Sequence, residues 1–118
     1  MERSIPLQVR FYRSPSGNQP VREWLGSLTK GQRYAVGVDL WKVQSQWPMG
    51  MPHVRHLGRG LHELRVGMPD GIARVIFIVD DKMMVLFHGF IKKTQKTPPA
   101  ELNLSEKRRR DYEQNKEN

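Results

Sequence analysis

The chain predicts a single α+β domain, with two N-terminal helices packed on one face of an antiparallel sheet in the order β-α-α-β-β-β(-α). Three observations carry that prediction. Leu7, Val9 and Phe11 alternate with Gln8, Arg10 and Tyr12, the period-two pattern of a half-buried strand. Between residues 18 and 46 the apolar side chains recur at helical spacing. From 61 to 91, short runs rich in β-branched residues are separated by turn sequences.

Each element has its own reason. Pro15, inside the stretch 14–17, ends the first strand, and a helix opens near Asn18 with Pro20 where a missing N–H costs nothing. Val21, Trp24, Leu25 and Leu28 fall at i, i+3, i+4 and i+7, one apolar stripe. After Thr29-Lys30-Gly31 a second helix is expected to reach about Gln46. It carries one stripe of Tyr34, Val38 and Trp41 and another of Val36, Leu40, Val43 and Trp47. Gly37 weakens it locally by about 1 kcal/mol relative to alanine, and Pro48, Gly50 and Pro52 stop it. Trp24, Trp41 and Trp47 follow helical spacing and are expected in the core.

The second half reads as a meander. Strands are expected over 61–66, 72–79 and 83–91, joined by a turn at Gly67-Met68-Pro69-Asp70-Gly71 and a tight return at Asp80-Asp81-Lys82. Thr97-Pro98-Pro99 opens a last helix expected to end at about Tyr112, its apolar stripe of Ala100 and Leu104 a thin one. Residues 1–112 then form one domain and 113–118 a tail.

Composition narrows the function. Twenty Lys and Arg against twelve Asp and Glu give a formal charge of +8 on 118 residues. Such a balance suits a polyanion, because clustered Lys and Arg displace counterions from phosphates. There is no cysteine, which excludes disulfides and thiolate metal sites. No apolar run is long enough to span a bilayer and residues 1–6 hold no secretory h-region, so a cytoplasmic protein without membrane contact is expected. The histidines at 53, 56, 62 and 88 lack metal-ligand spacing, so neither metal nor cofactor is expected.

The basic residues gather in the second half. His53, Arg55, His56 and Arg59 are placed in a loop before the second strand, Arg65 in that strand on the same face as Glu63, and Arg74 at the head of the central strand. Lys92 and Lys93 close the last strand and Lys96 follows. Folding the meander would bring these positions into one basic concavity suited to a phosphodiester backbone. The run Lys107-Arg108-Arg109-Arg110 fits a solvated helix end favoured by the helix dipole.

Two strings carry a family resemblance. Leu61-His62-Glu63-Leu64-Arg65, followed by Gly71-Ile72-Ala73-Arg74-Val75-Ile76-Phe77, resembles the paired strands of RelE/ParE-superfamily toxins. Val85-Leu86-Phe87-His88-Gly89-Phe90-Ile91-Lys92-Lys93-Thr94-Gln95-Lys96-Thr97-Pro98 resembles the signature of their phage-derived, HigB-like branch. The chain departs from the pattern at Ala73, where an aromatic is usual, at His56, where relatives carry Lys, and at Ser105, where a small apolar residue would dock the last helix.

The resemblance implies the toxin of a type II toxin–antitoxin pair, an endoribonuclease that cleaves mRNA on the ribosome and is held by a helix-turn-helix antitoxin. It implies attack of a ribose 2′-OH on the adjacent phosphate, with cationic side chains in place of a metal. On that basis Arg65 is the transition-state clamp, and Lys93 with Lys92 holds the phosphate and protonates the leaving oxygen. Their removal is expected to open no cavity in the apolar core. His56 is the candidate general base, with His62 and His88 as competitors. Arg55, Arg59, Arg74, His88 and Lys96 are candidate RNA contacts, Arg74 being better suited to a structural role. A non-catalytic nucleic-acid-binding phage accessory protein and a ParE-like topoisomerase inhibitor are the alternatives.

Overall fold

Two hairpin turns set the sheet. Pro69-Asp70 closes Met68 onto Gly71, and Asp81-Lys82 closes Asp80 onto Met83. Asp81 adopts φ +55°, the left-handed conformation that two-residue hairpins require and that Asp tolerates. The structure is a computed structural model that describes residues 6–116. Its elements are β1 (Gln8–Phe11), α1 (Pro20–Ser27), α2 (Lys30–Gln46), β2 (Val54–Gly58), β3 (Leu61–Met68), β4 (Gly71–Asp80), β5 (Met83–Lys92) and α3 (Pro99–Asn115).

The strands form one five-stranded sheet in the order β1-β5-β4-β3-β2. All pairs are antiparallel except β1 with β5, which is parallel. The α1–α2 crossover imposes that exception, since it returns the chain to a sheet whose other strands arrive later by hairpins. Strand β2 lies where the sequence pattern suggests a loop. Its residues, Val54-Arg55-His56-Leu57, hide the period because Val54 enters one core and Leu57 packs on the other.

Helices α1 and α2 cover one face, burying Val21, Val36, Leu40 and Val43 against Leu64, Val66, Val75, Phe77 and Leu86. Thr29 begins α2 with a reciprocal capping box: its hydroxyl accepts from the Gln32 N–H, and the Gln32 side chain accepts from the Thr29 N–H. Trp24 and Trp47 pack on this core, but Trp41 stays 58 % exposed and Tyr34 74 %, so the expected stripe that holds these two residues turns toward solvent. Trp24 lies flat over Gly89, where any Cβ would overlap its ring. Gly89→Ala is expected to destabilise by about 1–3 kcal/mol. Gly37→Ala, which meets open space in mid-helix, should stabilise by about 0.4–1 kcal/mol. Paired urea melts check both signs.

Helix α3 covers the other face, over Ile76, Ile78, Val85 and Phe87. It docks through Leu102, Ser105 and Tyr112 rather than Ala100, which is exposed. Ser105 is fully buried and its hydroxyl donates to the Glu101 carbonyl at 2.9 Å, so the polar atom is satisfied within the helix. Tyr12 donates to Asp111 and Tyr112 to Asp80, each at 2.7 Å. Burial first, then the bond to a carboxylate, pushes both phenols up to about 12. Arg108 and Arg109 are not a solvated run. A bulge in β5 frees the Phe87 carbonyl, which accepts from Arg108 at 2.8 Å, and Arg109 bonds Glu106 at 3.0 Å and the Arg59 carbonyl. The helix continues to Asn115, so residues 113–115 of the expected tail are helical; residues 1–5, 117 and 118 lie outside the described residues. No helix among the described residues is long and apolar enough to cross a membrane. This α+β architecture has the layering of a RelE-like fold.

Candidate functional site

Strand alternation decides which side chains meet. In β3, Leu64 and Val66 enter the α1–α2 core, so Glu63 and Arg65 point to the α3 face. Cross-strand register then sets Arg55 opposite Glu63, Arg65 opposite Arg74, and Arg74 opposite Phe90. The N-terminus of α3 leaves this end of the face open, and the segment 94–97 folds over it.

Every residue of that segment has a partner. Arg74, fully buried, donates to the carbonyls of Thr94 and Lys96, the latter at 3.1 Å. Arg65 Nη2 donates to Gln95 Oε1 at 2.6 Å. The Thr97 hydroxyl donates to Glu63 Oε2 at 2.6 Å, and the other Glu63 oxygen lies 3.9 Å from Arg65 Nε. Glu63 is wholly buried, and its Oε1 and Arg74 Nε have no hydrogen-bond partner. The end of the string that carries the resemblance, beyond β5, is thus a loop built around two buried charges, with Lys92, Lys93 and Lys96 left exposed. Burial pushes the Arg74 guanidinium down from its ordinary value, Glu63 opposes that, and Arg65 and Arg55 add to it. A buried arginine facing two other cations keeps its charge through Glu63 and the loop carbonyls.

Beyond the end of β2 the free edge of β3 borders a concavity of about 400 Å³, lined by Asp39, Met51, Pro52, His53, Arg65, Gly67, Ile72 and Gln95. The Arg65 side chain is only 10 % exposed, and it opens there. Gln95 Oε1 sits where an oxygen acceptor meets the guanidinium. A phosphate oxygen is chemically equivalent to it and more strongly held, being charged.

The structure therefore sorts the candidates named from sequence. Arg65, Arg55, Arg74 and the 92–96 lysine segment come together at one end of the sheet. Arg74 has no exposed surface and acts on the loop from inside, so it is no RNA contact in this conformation. Arg59 is displaced to the β2–β3 turn at φ +55°, beside Arg109 and Asp80. His56, one residue from Arg55, faces the other side of the sheet. There its Nδ1 lies 2.7 Å from Nδ1 of His62, and both rings pack on Trp47. His88 sits under α3, bonded to Glu101 at 3.2 Å with Arg108 at 3.3 Å, and burial pushes it down despite Glu101.

His53, Gln95, Asp39 and Met51 line the concavity; sequence reasoning places His53 among the gathered basic residues without giving it a role, and does not single out the other three. The signal that would find them is β2 itself: with 53–58 taken as a loop, no register places His53. Among the described residues no three His, Cys, Asp or Glu side chains converge to hold a metal ion.

Burial, with the charge of His56 second, lowers the His62 pKa from 6.5 to about 4. The unfolded chain therefore binds the proton first as pH falls. His62 contributes stability that is present above about pH 6.5 and lost as pH falls through about 4. His62→Phe, which keeps the packing on Trp47, should flatten the dependence of melting temperature on pH across that window.

Residues 23–110 match the model of one family, phage derived protein Gp49-like (DUF891). No curated protein matches the chain. The matched segment runs from α1 through α3 and includes the row of basic residues, Glu63 and the whole 92–98 string, and the chain belongs to the phage-derived Gp49-like family.

Proposed function

We propose that the protein is the toxin of a type II toxin–antitoxin pair of the RelE/HigB type, cleaving mRNA on the ribosome. One observation carries the reading: Arg65 opens on a concavity at the end of the sheet while the exposed Lys92, Lys93 and Lys96 surround the same loop. Membership of a phage-derived, RelE-like toxin family supports it. So does the charge of +8, which favours the polyanionic A site.

In this reading the scissile phosphate replaces Gln95 Oε1 on Arg65. A guanidinium matches two phosphate oxygens at once and stabilises the charge that grows on them in the transition state. Lys92 and Lys93 hold the phosphate from the rim, and Lys93 protonates the leaving 5′ oxygen. The ribose 2′ oxygen attacks phosphorus, so the product ends in a 2′,3′-cyclic phosphate. A helix-turn-helix antitoxin neutralises the toxin in the cytoplasm.

The test is cleavage of mRNA on programmed ribosomes with purified protein, mapped at nucleotide resolution. Cleavage within the A-site codon leaving a cyclic or 3′-phosphate end is expected, with ribosome affinity falling steeply as salt rises. Salt-sensitive RNA binding without cleavage would leave a non-catalytic binder. Gyrase inhibition without RNA cleavage would leave a ParE-like toxin. A 3′-hydroxyl end would exclude 2′-OH attack.

A further inference from the structure

Extending the β2–β3 register by one pair gives the position opposite Arg65. Val54 pairs with Leu64, so His53 stands across from Arg65, and the bond from Arg65 N to His53 O at 2.9 Å fixes that neighbour. By strand alternation His53 shares its face with Arg55, and directly opposite side chains in such a pair have Cβ atoms about 5 Å apart. The register then reads His53, Arg65, Arg74, Phe90 in a line across four consecutive segments.

We propose that His53 is the catalytic base of this site, taking the proton of the ribose 2′-OH while Arg65 holds the adjacent phosphate. The proposal rests on the RNA-cleaving function above and replaces His56 in the role of base. Histidine is the side chain suited to exchanging a proton near neutral pH, and the fold leaves one of the four in position. His56 and His62 occupy each other on the opposite face. His88 is held by Glu101 and Arg108 beneath α3. His53 is exposed and lines the concavity into which Arg65 opens.

The groups facing His53 suit the role. Arg65 faces it from β3, Asp39 from α2 and Gln95 from the loop. Asp39 also pairs with Lys42 at 3.7 Å. Arg55 follows two residues along the same face. Asp39, lining the same concavity, offers a carboxylate to the imidazolium once it has formed.

The step balances without a further reactant. The 2′-OH proton passes to the His53 imidazole as the O2′–P bond forms, and the P–O5′ bond breaks. The 5′ oxygen takes a proton from Lys93. Solvent then removes the proton from His53 and returns one to Lys93, leaving a 2′,3′-cyclic phosphate and a 5′-hydroxyl.

The experiment is single-turnover cleavage on programmed ribosomes with wild type, His53→Gln, His53→Gly and Arg65→Lys, measured from pH 5 to 9. His53→Gln is expected to cleave about a hundredfold slower or more at unchanged ribosome affinity, and to lose the limb over which the wild-type rate rises with pH. Added imidazole should restore part of the His53→Gly rate, which a merely structural histidine would not permit. Cleavage by His53→Gln within threefold of wild type, or a rising limb that persists in it, overturns the assignment. If Arg65→Lys is inactive while His53→Gln is active, only the role of His53 falls. If wild type leaves mRNA intact, the RNA-cleaving reading falls with it.

Discussion

Arg65→Lys, and separately the double change Lys92→Ala, Lys93→Ala, are each expected to slow mRNA cleavage about a hundredfold or more, with the fold retained. Losing one preorganised donor to a developing oxyanion typically removes roughly 3–4 kcal/mol of transition-state stabilisation. Lysine at 65 keeps a positive charge beside the buried Glu63 but loses the planar fork that holds two oxygens. Alanine at 65 is a poorer probe, because the side chain is only 10 % exposed and part of the environment of Glu63. Its burial corrects the sequence-based expectation that Arg65 can be removed without loss of stability. Lys92 and Lys93 are exposed, so their removal should change stability by less than about 0.5 kcal/mol. Ribosome cleavage and thermal melting on the same samples separate the two effects. Normal cleavage by either variant would remove these side chains from the chemistry.

Arg74→Ala is expected to act in the opposite way, through stability. Arg74 is the direct cross-strand partner of Arg65, yet it is fully buried and donates to the Thr94 and Lys96 carbonyls. Its loss leaves those carbonyls without their donor and Glu63 with less compensating charge. Leaving a buried acceptor without its donor typically costs about 1–3 kcal/mol, so losing both bonds should lower the melting temperature of a domain of this size by roughly 10 °C. Because Arg74 shapes the loop that presents Gln95 and the lysines, cleavage should fall as well, even at temperatures where the variant is folded. A melting temperature within a few degrees of wild type would show that the loop holds its form without Arg74.

The contrast between these neighbours shows where sequence reading stops. Both arginines belong to recognisable strings, and both carry the same charge. Their different roles depend on which one the 94–97 segment covers. That covering is a matter of long-range packing, which no spacing along the chain encodes.

The elements with strong local signals are legible from the chain alone. The period-two alternation around Val9, the stripe of Val21, Trp24, Leu25 and Leu28, the turn chemistry at Pro69-Asp70 and Asp81-Lys82, and the apolar run of β4 all arise from contacts within a few residues. The charge of +8 and the Phe90–Pro98 string likewise point to a toxin-like family and a basic loop. Only the tertiary structure decides that Val54–Gly58 is a strand, that β1 runs parallel to β5, and that α3 covers the second face. Those outcomes put His56 and Arg55 on opposite faces and His53 beside Arg65. The physical reason is the two-residue period of a strand: adjacent side chains point to opposite faces, so the composition of 53–56 is readable, but its register, set by pairing with β3, is not.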